Sequence, residues 1–161
     1  MTDFAALLGT LGEHHVDFIV IGGAAAIAHG SARLTMDLDI VYDRSAANVD
    51  RLVAALAGHH PYLRGVPPGL PFRWDARTLK MGLNFTLTTS LGDIDLLGEV
   101  AGGGGYQALA EHVDEVTLFG FRCRCIDLPT LIHLKRAAGR PKDLEAIAEL
   151  EAILEERRRT E

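Results

Sequence analysis

Residues 22–40 read GGAAAIAHGSARLTMDLDI, and this stretch joins a glycine pair to two aspartates through an alanine-rich spacer. The apolar run DFIVI at 17–21 predicts a buried strand that ends in a tight turn at the glycines. The run LDIVY at 38–42 predicts a second strand, which carries Asp39 and directly follows Asp37. Side chains two residues apart on a strand share a face, so the two carboxylates project together with Cα atoms roughly 6 to 7 Å apart. Two carboxylates at that spacing repel each other and favour a bound cation.

Between these strands, the alanine-rich segment predicts a short helix that ends at Gly30. Its small side chains allow close packing, and the backbone amides of its first turn can meet an anion. Glycines at the turn let these amides approach a phosphate without a clash from a Cβ atom. The first half of the stretch therefore predicts a phosphate contact and the second half a metal contact.

The rest of the chain shows further helix and strand patterns, which together predict a mixed α+β fold. Apolar spacing and capping residues predict helices at about 3–14, 45–57, 106–112, 127–138 and 141–158. Alternating apolar residues predict strands at 84–89, 93–97, 116–119 and 121–126. The proline-rich run at 59–75 predicts an irregular excursion that is mobile or lines a site, and GEVAGGGGY at 98–106 predicts a flexible connector.

Length and composition predict one compact domain. The chain has 161 residues, of which 48% are hydrophobic and 24% charged, and this is ordinary for a single globular core. We predict one domain over residues 1–161, with its core at about 16–126 and a C-terminal helical part at about 127–158. The sequence contains no apolar run of about 18 residues and no basic region before its first leucines. A cytoplasmic location without membrane contact is therefore expected.

The charge distribution limits the nucleic-acid partners that the sequence predicts. A formal charge of −6 argues against broad, sequence-independent binding, because that binding depends on neutralising phosphates. Several basic residues nevertheless fall late in the chain, namely Arg136, Arg140, Lys142 and the run 157–159. This distribution permits a local basic rim that faces a polyanion.

A third acid reaches the same region on a later strand. The sequence DIDLL at 93–97 carries Asp93 and Asp95 on one face, and Asp95 is preferred because apolar neighbours place it deeper in the strand. Three carboxylates from two strands predict a Mg²⁺ site, since hard oxygen ligands leave room for substrate phosphates. Two ions about 3.5 to 4 Å apart would suit nucleotidyl transfer, and Mn²⁺ is an alternative ion.

These features resemble the nucleotidyltransferase superfamily with the DNA polymerase β-type palm, a small mixed sheet packed against helices. The signature of that family is a glycine pair, a spacer of about a dozen residues and a D-x-D flanked by hydrophobic residues. The segment LIHLKRAAGRPKDLEAI at 131–147 is similar to the lysine and Lys-Asp helical motif of the AbiEii-like branch. That branch includes toxin nucleotidyltransferases of bacterial toxin–antitoxin pairs. The resemblance covers roughly residues 16–150.

The resemblance implies a role for each residue that matches the family pattern. Asp37 and Asp39 would bind metal, and Asp95 would complete the metal site and act as base toward the acceptor hydroxyl. Lys142 and Asp143 would hold the triphosphate or order Lys135. The nucleotide contacts implied in this way come from Gly22, Gly23, Arg33, Lys135, Lys142 and Asp143.

The resemblance also implies a reaction and a set of partners. We expect an enzyme that transfers a nucleoside monophosphate from an NTP to an acceptor hydroxyl, with a tRNA 3′ end or another RNA as the first candidate and a cognate antitoxin as a partner. A transferase that acts on a protein or a small molecule is an alternative. Another alternative is a non-catalytic binding partner with this fold in a toxin–antitoxin pair.

Overall fold

The computed structural model describes all residues from Met1 to Glu161 and contains seven α-helices and seven β-strands. In chain order these are α1 (Phe4–Glu13), β1 (Phe18–Ile21), α2 (Gly22–Ala28), β2 (Asp37–Tyr42), α3 (Ala46–Leu56), β3 (Tyr62–Leu63), α4 (Ala76–Met81), β4 (Asn84–Thr89), β5 (Gly92–Leu97), α5 (Tyr106–Leu109), β6 (Val113–Leu118), β7 (Phe121–Ile126), α6 (Leu128–Ala138) and α7 (Pro141–Thr160). No helix is both long enough and apolar enough to cross a lipid bilayer.

The strands form one mixed sheet in the order β3-β4-β5-β2-β1-β7-β6. Strand β2 runs parallel to β5, and β1 runs parallel to β7, whereas the other neighbours are antiparallel. This mixed sheet with its helices confirms the predicted α+β fold. The register pairs Asp37 with Asp93 and Asp39 with Asp95, so the acids of two strands meet at one place on the sheet.

Strand β2 divides its side chains between the core and the site. Leu38 and Ile40 are fully buried in a core cluster of 33 residues, while Asp37 and Asp39 point to the opposite face. On that face Val41 is also fully buried, because α2 packs against β2 and α6 packs against α2. The aspartates therefore lie where the helical cover ends and a cleft opens.

Local capping signals explain why the helices begin where they do. Ser45 accepts a hydrogen bond from the Asn48 amide at the start of α3, and Asp127 accepts one from Thr130 at the start of α6. Helix α6 ends at Gly139, whose φ of 66° is the left-handed conformation that favours glycine. The chain therefore turns sharply into α7 and brings the first turn of that helix back to the sheet.

Two segments are more ordered than the sequence indicates. The proline-rich run contains β3, which pairs with β4 at the sheet edge, and Asp75 at its end caps α4. The glycine-rich segment, predicted as a flexible connector, forms a compact turn closed by a bridge between Val100 and Gly104. Gly103 lies so close to Leu134 of α6 that a side chain there would collide with it. Contacts between distant parts of the chain order both segments, and local patterns do not reveal such contacts.

Candidate active site

Asp37, Asp39 and Asp95 converge at the open end of the cleft. Each offers a carboxylate oxygen, and these three oxygens lie within 4.8 Å of one another. At that separation each ionised pair repels by roughly 3 kcal/mol at an effective dielectric constant of about 20. Asp93 lies beside Asp37 in the strand register but outside this group. The structure thus brings together the three acids that the sequence predicts as metal ligands.

The surroundings of these acids disfavour their charged forms. Burial, followed by the neighbouring charges of Asp37 and Asp95, raises the pKa of Asp39 to about 8. Burial and the Asp95 charge also raise the pKa of Asp37. Asp39 Oδ1 is buried and has no hydrogen-bond partner. A carboxylate oxygen with no partner, in a converging all-oxygen donor set, fits a hard divalent cation.

Neighbouring side chains approach the backbone of the glycine pair so closely that no Cβ atom fits at either position. Gly22 has a φ of 66°, and a Cβ atom built on it would overlap the Asp39 carboxylate. A Cβ atom on Gly23 would collide with the Thr35 side chain. No side chain caps the helix that begins here, so the amides of its first turn have no capping partner. The turn therefore places free backbone donors beside the carboxylates, as the sequence predicts.

Lys135 reaches the cleft from α6, and an acid behind it holds it in place. Its Nζ lies 3.8 Å from Asp143 Oδ1, and Asp143 is only 2% exposed. Asp143 also accepts a hydrogen bond of 2.7 Å from Arg140 Nε. Burial lowers the pKa of Lys135, while the Asp143 charge opposes that shift. Of the two roles predicted for Asp143, its position suits the ordering of Lys135, because the carboxylate is enclosed by its own partners.

Lys142 and Arg33 line the same part of the cleft. A cavity of about 180 Å³ lies between the glycine turn, Asp37 and the first turn of α7, and both basic residues border it. Arg33 is half-exposed and lies 3.7 Å from Glu145 and 4.0 Å from Glu149. Its positive charge is therefore shared with two acids of α7, whereas Lys142 has no ion-pair partner within 4.0 Å.

A second cavity, of about 320 Å³, opens on the Asp95 side of Lys135. Its walls combine apolar side chains with two polar residues of the β4 and β5 ends: Leu97, Val100, Leu131, Leu134, Asn84 and Glu99. The basic residues that border it are Lys135 and Arg140, and both are paired with Asp143. This cavity is suited to an uncharged or cationic group and offers little to a polyanion.

Arg64 belongs to the site, and the sequence analysis does not identify it. It follows β3, and its guanidinium crosses β4 to lie 2.8 Å from Asp95 and 3.4 Å from both Asp37 and Asp93. Its Nη2 also donates a hydrogen bond of 2.6 Å to the Leu87 carbonyl. Only the pairing of β3 with β4 places this arginine over the acids, and two residues of strand give no periodicity to detect.

Of the six late basic residues that permit a basic rim, four are paired or hydrogen-bonded within the protein, and Lys142 and Arg158 are not. Arg136 pairs with Glu151 and Arg159 with Glu155, each within the C-terminal helices. Arg157 donates hydrogen bonds to the buried His29, whose Nε2 in turn donates to the Ile126 carbonyl at 2.6 Å. These arginines therefore neutralise acids or fasten α7 to the sheet. Charge counts along the sequence do not show such pairing.

Comparison with known proteins identifies the fold. No protein-family model matches the sequence, and neither does any curated protein. The crystal structure of the lincosamide antibiotic adenylyltransferase LnuA, bound to lincomycin, is 15% identical with a TM-score of 0.59, and the match covers 91% of this chain and 92% of that one. The solution structure of the antibiotic-resistance factor ANT(2'')-Ia is 13% identical with a TM-score of 0.51, covering 96% and 90%. The chain therefore has a nucleotidyltransferase fold, and its place in the AbiEii-like branch stays a prediction.

Proposed function

We propose that this protein is a divalent-cation-dependent nucleotidyltransferase that transfers a nucleoside monophosphate from an NTP to an acceptor hydroxyl. The observation that carries the proposal is the convergence of Asp37, Asp39 and Asp95, two of which line one cavity with Lys135 and Lys142. The acids would hold Mg²⁺, or Mn²⁺ in its place, because three oxygen donors leave coordination positions for substrate phosphates. Lys142, which has no ion-pair partner, supplies positive charge for the triphosphate, and Lys135 adds to it from the same cavity.

The residues of the cleft divide the reaction between them. When bound, divalent cations would neutralise charge on the triphosphate and acidify the acceptor hydroxyl. The Gly22 turn admits the phosphates close to the backbone, and Lys135 and Lys142 hold them from the helical side. Asp95 takes the proton of the hydroxyl. A bond then forms between the acceptor oxygen and the α-phosphorus, the bond between the α- and β-phosphates breaks, and pyrophosphate leaves.

The cavity beside Asp95 favours a small acceptor over RNA. Glu99 lies on its border, and its two basic residues are already paired with Asp143. An RNA acceptor depends on unpaired basic side chains that neutralise its phosphates. A tRNA 3′ end and a toxin role, as the AbiEii-like resemblance implies, are therefore our second candidate. The lincomycin in the LnuA structure is consistent with a small-molecule acceptor here.

A direct test follows radiolabel from each α-labelled NTP into candidate acceptors in the presence of Mg²⁺. We expect transfer to members of a panel of uncharged and cationic hydroxyl compounds, with release of pyrophosphate and none with Asp37→Ala. Labelling of total RNA in preference to the panel would favour the second candidate. Absence of transfer to every acceptor, together with no Mg²⁺-dependent binding of any NTP, would overturn the proposal.

The non-catalytic alternative makes a different prediction about binding. A binding module of this fold has no need for three converging carboxylates, and these acids raise the free energy of the folded state through repulsion. Calorimetry distinguishes the two functions. Mg²⁺-dependent NTP binding that disappears in Asp39→Asn supports the enzyme, whereas tight binding of a protein partner that is indifferent to this change supports the module.

A further inference from the structure

Four aspartates and one arginine share the strand side of the cleft. Asp37, Asp93 and Asp95 all lie within 3.4 Å of the Arg64 guanidinium, whereas Asp39 has no arginine contact. Arg64 is enclosed enough for these contacts to matter, since its side chain is 25% exposed. One positive charge therefore contacts three of the four carboxylates and offsets only part of their negative charge.

The contacts of Arg64 with the acids are weaker in geometry than its hydrogen bonds to the backbone. Its Nη2 donates a 2.6 Å hydrogen bond to the Leu87 carbonyl, and its backbone amide donates to the Thr86 carbonyl. By contrast, Arg64 Nε and Asp95 Oδ1 are buried without forming a hydrogen bond, although the guanidinium lies beside Asp95. The backbone holds the arginine in place, while its contacts with the carboxylates are ion pairs, of which only the 3.4 Å contact from Nη1 to Asp37 Oδ2 is also a hydrogen bond.

The carboxylate oxygens that face Arg64 are also those that would bind a divalent cation. Asp37 and Asp95 belong to the group whose oxygens lie within 4.8 Å of one another, and Asp93 does not. A guanidinium and a divalent cation cannot both occupy the space in front of Asp37 and Asp95, and their positive charges repel. Asp93, outside the group, stays available to the arginine whichever of them faces the other two acids.

We propose that Arg64 is the resident counterion of the carboxylate group, that a divalent cation displaces its guanidinium from Asp37 and Asp95, and that Asp93 and the Leu87 carbonyl retain it at the edge of the site. This inference rests on the proposed function for the identity of the metal-binding acids. It gives Asp93 a role as the partner of Arg64, and it makes Arg64 a residue that sets the affinity of the site for metal.

The test is Mn²⁺ binding to the full chain without nucleotide, measured by electron paramagnetic resonance at fixed pH and ionic strength. We expect Arg64→Gln to bind Mn²⁺ about tenfold more tightly than the wild type. The reason is that the change removes one positive charge that repels the divalent ion through a water-like medium. Arg44→Gln is the matched control, because Arg44 donates to Tyr42 and to the Gly82 carbonyl and contacts none of the acids. Its Mn²⁺ affinity should equal that of the wild type.

A second measurement isolates the pairing with Asp93. Asp93→Asn should weaken Mn²⁺ binding in the wild type, because Arg64 then turns wholly to Asp37 and Asp95. The same change should weaken binding less when Arg64→Gln is already present, so the two effects are not additive. Arg64→Met, which removes the charge but keeps a long unbranched side chain, replaces Arg64→Gln if thermal unfolding shows that the latter is not folded, and it should also bind Mn²⁺ about tenfold more tightly than the wild type.

The outcomes separate this inference from the proposed function. Unchanged or weaker Mn²⁺ binding in Arg64→Gln, with binding abolished in Asp39→Asn, would overturn the role of Arg64 and leave the metal site intact. No Mn²⁺ binding by the wild type or by any variant, with no nucleotidyl transfer, would overturn both. Tighter binding in Arg64→Gln without nucleotidyl transfer would support the counterion and count against the enzyme.

Discussion

Asp39 and Asp143 face each other across the cleft, and their environments have opposite effects on their charge. Asp39 lies among other acids, and burial together with the charges of Asp37 and Asp95 raises its pKa to about 8. Asp143 is also enclosed, with only 2% of its surface exposed, and burial alone would raise its pKa too. Hydrogen bonds from Arg140 and the charge of Lys135 outweigh burial and hold the Asp143 pKa below its ordinary value.

The difference shows that burial by itself does not distinguish a structural carboxylate from a functional one. Asp143 has its counter-charges within the protein, so the helical side of the cleft is complete and stabilises the fold. Asp39 has an oxygen without a partner, so the strand side is complete only when something else supplies positive charge. Removal of the Asp39 charge should therefore reduce catalysis, and removal of the Asp143 charge should reduce stability.

The largest expected effect is on catalysis, from Asp39→Asn. Removal of one charge from the proposed metal site should lower kcat by about a thousandfold or more, since charge stabilisation by a bound metal is worth several kcal/mol of the barrier. The fold should persist, because asparagine keeps the size of the side chain and removes a repelled charge. Steady-state kinetics with the acceptor found in the transfer assay measure the loss. Asp50→Asn, an exposed position on α3, is the control, and a decrease below tenfold in Asp39→Asn would show that this carboxylate is dispensable.

The second effect is on stability, from Asp143→Asn. This change removes the partner of a largely buried lysine and should cost roughly 2 to 4 kcal/mol of the free energy of unfolding. Urea denaturation at neutral pH measures the loss, with Asp50→Asn again as the control. Activity should fall less than in Asp39→Asn, and mainly through a higher KM for the NTP, because Lys135 loses its orientation but keeps its charge. A change in stability below about 0.5 kcal/mol would mean that Arg140 and Lys135 do not depend on this acid.

Local sequence signals predicted the features that depend on residues adjacent in the chain. Apolar alternation identifies β2, the glycine turn explains the break before α2, and Ser45 and Asp127 mark the starts of their helices because capping uses residues adjacent in sequence. The D-x-D at Asp37 and Asp39 gives the metal-ligand spacing for the same reason. Elements and spacings that depend on neighbours in the chain are therefore readable before the structure is known.

Features that depend on pairing across the sheet were not readable. The sequence favours Asp95 over Asp93, but the contact itself depends on the register of β5 against β2, which places Asp95 beside Asp39. Arg64 reaches the acids only because a strand of two residues pairs with β4. The late arginines suggest a basic surface, but Arg136 and Arg159 pair with acids of α7. In each case the contact joins residues that are distant in the sequence and are brought together only by the packing of the fold.

The smallest expected effect is a pH dependence that distinguishes the two acids without any substrate. The pKa of Asp39 is about 8 in the folded protein and about 4 in an unfolded chain, so the folded state binds the extra proton between these values and loses stability as pH rises through them. In metal-free protein, Asp39→Asn should have the same Tm as the wild type near pH 4 and a higher Tm than the wild type at pH 8.5. For Asp143 the sign is reversed. Its lowered pKa stabilises the fold above about pH 4, and that contribution is lost on acidification through the folded pKa. The Tm of Asp143→Asn should therefore lie below that of the wild type at neutral pH and approach it only in strong acid. Scanning calorimetry from pH 3 to 9 measures both differences, and a Tm difference for Asp39→Asn that does not grow with pH would show that its carboxylate is already ionised and partnered.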